Sequence, residues 1–166
     1  MYSRPRPLLE NDPREAFDCG RDAMNAWFHR NGWKDHINGI SRVTIVAEVE
    51  TGLIAAYATL SAAQIQRSFL PKPEQRNRPD PIPVKLLGQL AVDVRFQDRG
   101  LAGDLLQVML KTALAASYLI ASAGVVTHPL DDGLRDFYQK FGFSDLPNDP
   151  RKSMMVKMTD IAKAFL

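Results

Sequence analysis

The stretch LGQLAVDVRFQDRGLAGDLLQVML, Leu87–Leu110, decides how this chain folds. Leu90, Val92 and Val94 alternate with Ala91 and Asp93, the two-residue period of a strand, which predicts a strand over 86–94. Glycines then break the run. From Ala102 the apolar residues Leu105, Leu106, Met109, Ala113 and Ala116 recur at spacings of three and four, a helix packed along one side. Between them QDRGLAG, Gln97–Gly103, fits the pattern Q/R-x-x-G-x-G/A at the point where strand becomes helix. The first amides of a helix lack intrahelical partners and its dipole favours negative charge, by ~0.3 to 1 kcal/mol per anionic group. Strand, tight turn and helix therefore form an anion seat that suits a pyrophosphate, with Arg99 as a further cation. A nucleotide P-loop is excluded because Asp104 and Leu105 follow Gly103 in place of Lys and Ser or Thr. A dinucleotide fold wants this turn after the first strand, and here several elements precede it. A plain tight turn with packing glycines fits the same letters, and the pattern alone does not separate the two.

Outward from this stretch, the 166 residues fit a single domain, residues 1–166, and the 45% apolar fraction suffices for a full core. Cys19 is the one cysteine, so no intrachain disulfide forms, and the absence of a signal pattern reads as cytoplasmic. No apolar run reaches the roughly 18 residues of a membrane span. A net charge of +2 is too small to mark a nucleic-acid binder by itself. Arg4, Arg6, Lys72, Arg76, Arg78 and Lys85 lie in proline-rich stretches, where solvated loop charges are the first reading and a polyanion contact the second.

Along the chain, CGRDAMNAWFHRNGWKDHI places Met24, Trp27 and Phe28 on one helical face, with a second short helix after Gly32. RVTIVAEVETGLIAAYATLSAA gives two strands around Glu50, Thr51 and Gly52, an antiparallel hairpin. PKPEQRNRPDPIPV, residues 71–84, carries five prolines and is expected to form a long surface loop without helix or interior strand. AGVVTH reads as a strand. DDGLRDFYQKFGF puts Leu134, Phe137, Tyr138 and Phe141 on one face of a short helix that Gly142 ends. SMMVKM is a last strand and TDIAKAFL a closing helical turn. The order predicts an α/β domain, a central mixed sheet flanked by helices.

Two motifs in this order, Gln97–Ala102 and then Phe137-Tyr138 followed by Gly142-Phe143, resemble the GNAT superfamily of acetyl-CoA-dependent N-acetyltransferases. The resemblance implies a twisted mixed sheet and acetyl-CoA as cofactor. Backbone groups of Leu90, Ala91 and Val92 would pair with the pantetheine arm as an added strand. Gln97, Asp98, Arg99, Gly100, Leu101, Ala102 and Gly103 would hold the pyrophosphate, with Phe137 also at the cofactor. Tyr138 would protonate the departing thiolate, and an amide near Val92 would stabilise the oxyanion. A phenol, at ~10, gives its proton to a thiolate at ~8.5 only slightly uphill, by about 2 kcal/mol.

From Phe17 to Met158 the chain further resembles the GNAT toxins of type II toxin-antitoxin pairs, through CGRDAMNAWF, Arg42 and PDPIPVKLLGQLAVD. That resemblance implies acetylation of the α-amino group of aminoacyl-tRNA, a translation block, a ribbon-helix-helix antitoxin and a homodimer. An α-amine, at ~7.7 to 8.0, is appreciably neutral at pH 7, whereas a lysine at ~10.4 is neutral in less than about one part in a thousand. Such an acceptor needs little help from a base, and Glu48 and Asp93 read first as exposed charges. The tRNA contacts expected are Arg76, Arg78 and Lys85, then Lys34 and Arg42. Gln97 stands where many members carry arginine, and so does Gln89 in the toxins. A small-molecule amine or a protein amino group is the alternative acceptor; a cofactor-holding module without turnover is the non-enzymatic one. His29 and His36 lack a third ligand for a metal, Cys19 lacks a base, and His128 at a strand end reads first as structural.

Overall fold

The computed structural model describes residues 1–165. Its strands and α-helices run β1 Arg6–Pro7, α1 Asp22–Ile37, β2 Arg42–Ala47, β3 Ile54–Ile65, β4 Ile82–Val92, α2 Leu101–Ser117, β5 Gly124–Thr127, α3 Asp132–Gln139, β6 Ser144–Asp145, β7 Met154–Lys157 and α4 Met158–Phe165. The strands form a seven-stranded sheet in the order β1-β2-β3-β4-β5-β7-β6. It is mixed: β4 and β5 run parallel, while β1 with β2, β2 with β3, β5 with β7 and β6 with β7 run antiparallel. This is the α/β architecture that the element order implied. No helix among the described residues is long and apolar enough to cross a membrane.

Two compact units divide these elements. The first takes Met1–Ser61 and Gly88–Met109, and its core gathers Leu8, Phe17, Phe28, Val43, Ile45, Ile54, Tyr57 and Ala91. Aromatic rings set its packing. Phe28 stacks on Tyr57 with centroids 4.0 Å apart, and Phe17 meets both edge-on at 5.2 and 5.1 Å. The hairpin is as expected, with β2 and β3 joined through Gly52 at a φ of +73°. One expectation is corrected here: α1 does not break at Gly32 but continues to Ile37. A Cβ at position 32 would lie 2.8 Å from Phe28 Cδ1, so the glycine makes room for a core ring and does not end the helix.

The second unit takes Ala62–Leu87 and the residues from Leu110 on, with a core of Ile65, Leu70, Ile82, Val84, Val126, Leu146 and Met155. Its proline-rich segment is more ordered than a bare loop. Two 3-10 turns, Arg67–Phe69 and Lys72–Glu74, lie in or beside it, and Asp80 accepts from the Arg67 amide at 3.1 Å. A second correction concerns β4, which begins at Ile82 and so includes Pro83, earlier than the expected Leu86. The ladder to β5 covers only Lys85–Leu87, so the donor that proline lacks is not required, and the Pro83 carbonyl still accepts from Ala123 N at 2.8 Å. Ile82 and Val84 are buried, which supplies the gain that draws these residues into the sheet.

Gly32→Ala sets two effects against each other. Alanine favours a helix interior by about 1 kcal/mol, while overpacking a fixed core costs ~1 to 3 kcal/mol. Phe28 is fully buried and stacked, so overpacking wins. We expect a net loss of about 1 to 2 kcal/mol in urea denaturation, where a surface helix would gain stability.

Candidate active site

Asp93 fixes the turn that follows β4. Its side chain is fully buried, yet both oxygens are fully used: Oδ1 accepts from the Arg95 amide and Nε at 2.9 Å each, and Oδ2 accepts from Arg95 Nη2 at 2.8 Å and the Asp18 amide at 3.0 Å. Its backbone amide donates to Ala55 O and that of Val94 to Asp18 O, both at 2.8 Å. This corrects two expectations. The strand ends at Val92, followed by a 3-10 turn over Val94–Phe96, and Asp93 is an interior ion-pair member instead of an exposed charge. Burial pushes its carboxyl up, but the hydrogen bonds from Arg95 and Asp18 outweigh that and hold it below the usual carboxylate value.

From there the chain reaches the glycine turn. Gln97 Nε2 donates to Val92 O at 2.9 Å, tying the turn back to the strand end. Asp98 and Gly100 adopt φ values of +62° and +79°, a left-handed geometry that glycine accepts at no steric cost. The first α2 bond is Asp104 N to Gly100 O at 3.1 Å. Among the described residues the amides of Asp98, Arg99, Gly100, Leu101, Ala102 and Gly103 donate to no turn or loop acceptor. Arg99 is engaged with Tyr2, donating to its hydroxyl at 2.9 Å, and lies 5.8 Å from the centroid of the Phe96 ring. Leu90, Ala91 and Val92 lie on β4 past the last residue, Leu87, that the β5 ladder covers.

In the second unit, Asp131 caps α3 by accepting from Leu134 N at 2.8 Å, and Gly142 ends the turn that follows with a φ of +93°. Tyr138 is buried between Phe137 and Phe143, each 5.2 Å away between centroids. Its hydroxyl bonds to the Thr127 side chain, and Thr127 Oγ1 donates to Leu87 O at 3.1 Å. A threonine hydroxyl has one proton. While it goes to Leu87, Thr127 can only accept from Tyr138, which favours the protonated phenol. Burial raises the phenol further.

Comparison with known proteins places this chain. No family model matches it. A tRNA-acetylating toxin of Mycobacterium tuberculosis is 30% identical over 155 residues, 93% of this chain and 92% of the relative. The chain belongs to this family, the tRNA-acetylating GNAT toxins. Among solved structures, AtaT complexed with acetyl-methionyl-tRNAfMet aligns over 100% of both chains at a TM-score of 0.90 and 25% identity. AtaTR bound with acetyl-CoA aligns at a TM-score of 0.85 and 25% identity, over 99% of this chain and 98% of that one.

The basic residues expected to contact tRNA differ in how free they are in this toxin-family chain. Arg76 and Lys34 are exposed and Arg78 is half-buried. Lys85 is committed: its Nζ donates to Ser122 Oγ at 2.7 Å, and burial lowers its pKa. Arg42 reaches the His36 carbonyl. Arg76, Arg78 and Lys85 share the second unit, while Lys34 and Arg42 lie in the first. Gln89 is half-buried, accepting from the buried Tyr57 hydroxyl. The histidines of the first unit support the backbone, His29 Nε2 at 2.7 Å from Phe17 O and His36 Nδ1 accepting from Val43 N at 2.9 Å. Burial raises the Cys19 thiol. No cluster of three or more metal-binding side chains occurs among the described residues.

A residue read first as structural gains new surroundings. His128 lines a cavity of about 260 Å³ in the second unit, and its Nδ1 lies 2.5 Å from Ser153 Oγ. The signal in the sequence is faint: Val126 and His128 share one face by strand alternation, and DPRKS, Asp149–Ser153, is the turn that meets it.

The buried carboxylate gives a pH test. Asp93 is depressed in the folded state, so its stabilisation is complete above the unfolded value of ~3.9 and is lost as pH falls through the lower folded value. Denaturation midpoints of the wild type should drop steeply below about pH 4, and the Asp93→Asn variant, weaker at neutral pH, should show a flatter acid limb.

Proposed function

We propose that this protein moves the acetyl group of acetyl-CoA to the α-amino group of aminoacyl-tRNA and thereby blocks translation, as the toxin of a type II toxin-antitoxin pair. The kinship along nearly the whole chain with a tRNA-acetylating toxin carries this reading. The AtaT complexes with acetyl-methionyl-tRNAfMet and with acetyl-CoA support the acceptor and the cofactor. β3, β4 and α2 each run through both units, which supports treating residues 1–166 as one catalytic domain.

In this reading the unpaired amides of residues 98–103, with Gln97 bracing the turn, bind the diphosphate of acetyl-CoA. Leu90, Ala91 and Val92 offer backbone groups to the pantetheine arm, an amide near Val92 faces the oxyanion, and Phe137 flanks the cofactor. Tyr138 donates its proton to the coenzyme A thiolate as the C–S bond breaks, a role supported by its burial and its Thr127 bond. Arg76 and Arg78 contact tRNA phosphates, and Lys34 is a further candidate; Lys85 and Arg42 are weaker contributors because each already serves a protein acceptor. Tyr118, Leu119 and Ile120, 68%, 89% and 78% exposed just past α2, supply apolar surface for partners. We assign to those partners a second copy of the chain and a ribbon-helix-helix antitoxin. The site of action is the cytoplasm, where charged tRNA is found.

Labelled acetyl-CoA incubated with charged tRNA should leave label on the aminoacyl group; label only on free amines would overturn the reading. Tyr138→Phe should lower kcat by roughly 10² to 10⁴ while calorimetric affinity for acetyl-CoA stays as in the wild type. Replacing Arg76 and Arg78 together by glutamate should raise KM for tRNA and reduce its salt dependence, with acetyl-CoA binding unchanged.

A further inference from the structure

The second unit carries a group of polar side chains that the reaction as described leaves unused. Ser153 is fully buried, Asp149 is 6% exposed, and His128 is half-buried at the mouth of β5. Asp149 accepts from the Ser153 hydroxyl and from Arg151 N, the latter at 2.9 Å. Burial pushes its carboxyl up, but these hydrogen bonds bring it below its usual value. The carboxylate can only accept. The one Ser153 proton therefore points at Asp149, and Ser153 Oγ accepts from His128 Nδ1–H, 2.5 Å away. In a neutral imidazole with its proton on Nδ1, the lone pair sits on Nε2. Among the described residues Nε2 has no protein partner, and its ring lines the cavity.

Strand alternation turns Thr127 and His128 to opposite faces of the strand. Thr127 meets the Tyr138 hydroxyl, whereas Val126 and His128, one residue to either side, line the cavity. The remaining walls are apolar except for Gln64: Ala63 and Ile65 of β3, Phe69, Val84 and Leu86 of β4, and Pro150. Its volume lies below the roughly 300 to 1,000 Å³ of drug-sized sites, a size that suits one amino acid and not a whole cofactor.

We propose that this cavity receives the aminoacyl group of the acceptor, with preference for an apolar side chain, and that His128 Nε2 takes a proton from its ammonium, positioned by Ser153 and Asp149. This rests on the tRNA-acetylating function. The ammonium gives one proton to Nε2, and the freed nitrogen pair forms the N–C bond to the acetyl carbonyl. The C–S bond breaks with its electrons on sulfur, which takes the Tyr138 proton. The phenolate then recovers a proton from the new amide nitrogen, and His128 releases its own to water. Net, one amide and one thiol form and one proton leaves.

The charged groups facing His128 are Asp149 and Arg151, both in the turn before β7; β3, β4 and β5 contribute no ionisable group to the cavity beyond His128 itself. Burial, reinforced by Arg151, lowers the imidazole below its ordinary value, so it is unprotonated and available through neutral pH. An α-amine at ~7.7 to 8.0 is only a few per cent neutral at pH 6.5 and mostly neutral at pH 8.5. A base therefore matters most on the acid side.

The test compares wild type with His128→Gln in acetylation of charged tRNA from pH 6.5 to 8.5. The expected deficit is about tenfold at pH 6.5, shrinking to within twofold at pH 8.5, with acetyl-CoA affinity and thermal midpoint held. Asp149→Asn, which keeps the side-chain volume, should show the same pH-dependent deficit in weaker form and carries the test if the His128 variant folds poorly. A deficit equal at every pH, or none in either variant, overturns the base while leaving tRNA acetylation standing. A wild type that leaves charged tRNA unlabelled overturns the function itself. Charged tRNAs with apolar residues should outcompete those with acidic ones; the reverse order overturns the assignment of the cavity.

Discussion

The turn between β4 and α2 depends on a carboxylate taken fully out of water. Desolvating Asp93 is expensive, and the cost is offset only because each oxygen receives two donors: backbone and guanidinium from Arg95, and the Asp18 amide. An ion pair this committed is weak evidence of net stability but strong evidence of geometry, since every partner has to return to the same place for the charge to be tolerated. The consequence runs along the chain. Asp93 ends the strand, its amide and that of Val94 bind Ala55 and Asp18, and Gln97 closes back on Val92. Among the described residues the amides of residues 98–103 are left without a turn or loop acceptor, with a helix dipole behind them.

The parts of this arrangement legible in the sequence were those governed by local rules. Alternation of Leu90 and Val92, the glycine turn, the three-and-four spacing after Ala102 and the Gly142 stop each depend on residues within a few positions. What the sequence did not disclose depends on partners far along the chain. Gly32 reads as a helix break until Phe28 is known to fold back against it, and the ring is held there by Tyr57. Pro83 reads as a barrier to a strand until the β5 ladder is seen to start at Lys85. Asp93 reads as an exposed charge because its partner Asp18 is 75 residues away. Lys85 reads as a free cation until Ser122 is found beside it.

Gln89 shows the same dependence on partners far along the chain. Its oxygen serves the Tyr57 hydroxyl, which also reaches Met24 O at 3.2 Å, while its amide donates to Thr59 Oγ1 at 3.0 Å. A guanidinium has five donors and no acceptor, so it cannot take the Tyr57 proton. The glutamine is therefore coupled to the aromatic core beside it: an acceptor at position 89 lets Tyr57 be buried with its hydroxyl satisfied. Arginine placed here would have to turn outward and leave that hydroxyl to Met24 alone.

The chemistry of the second unit follows from how protons are shared among hydroxyls with one proton each. Thr127 spends its own on Leu87 and so favours a neutral Tyr138; Ser153 spends its own on Asp149 and so favours an unprotonated Nε2 on His128. The same device, a hydroxyl oriented by a stronger acceptor, favours a protonated phenol and an unprotonated Nε2 at the same pH, as the proposed acid and base require. Burial shifts the two in the directions these roles need, the phenol upward and the imidazole downward, because in each case it penalises the charged form. An acceptor amine that is already partly neutral asks little of a base, so a histidine with a lowered pKa would suffice where acetylation of lysine would demand a stronger one.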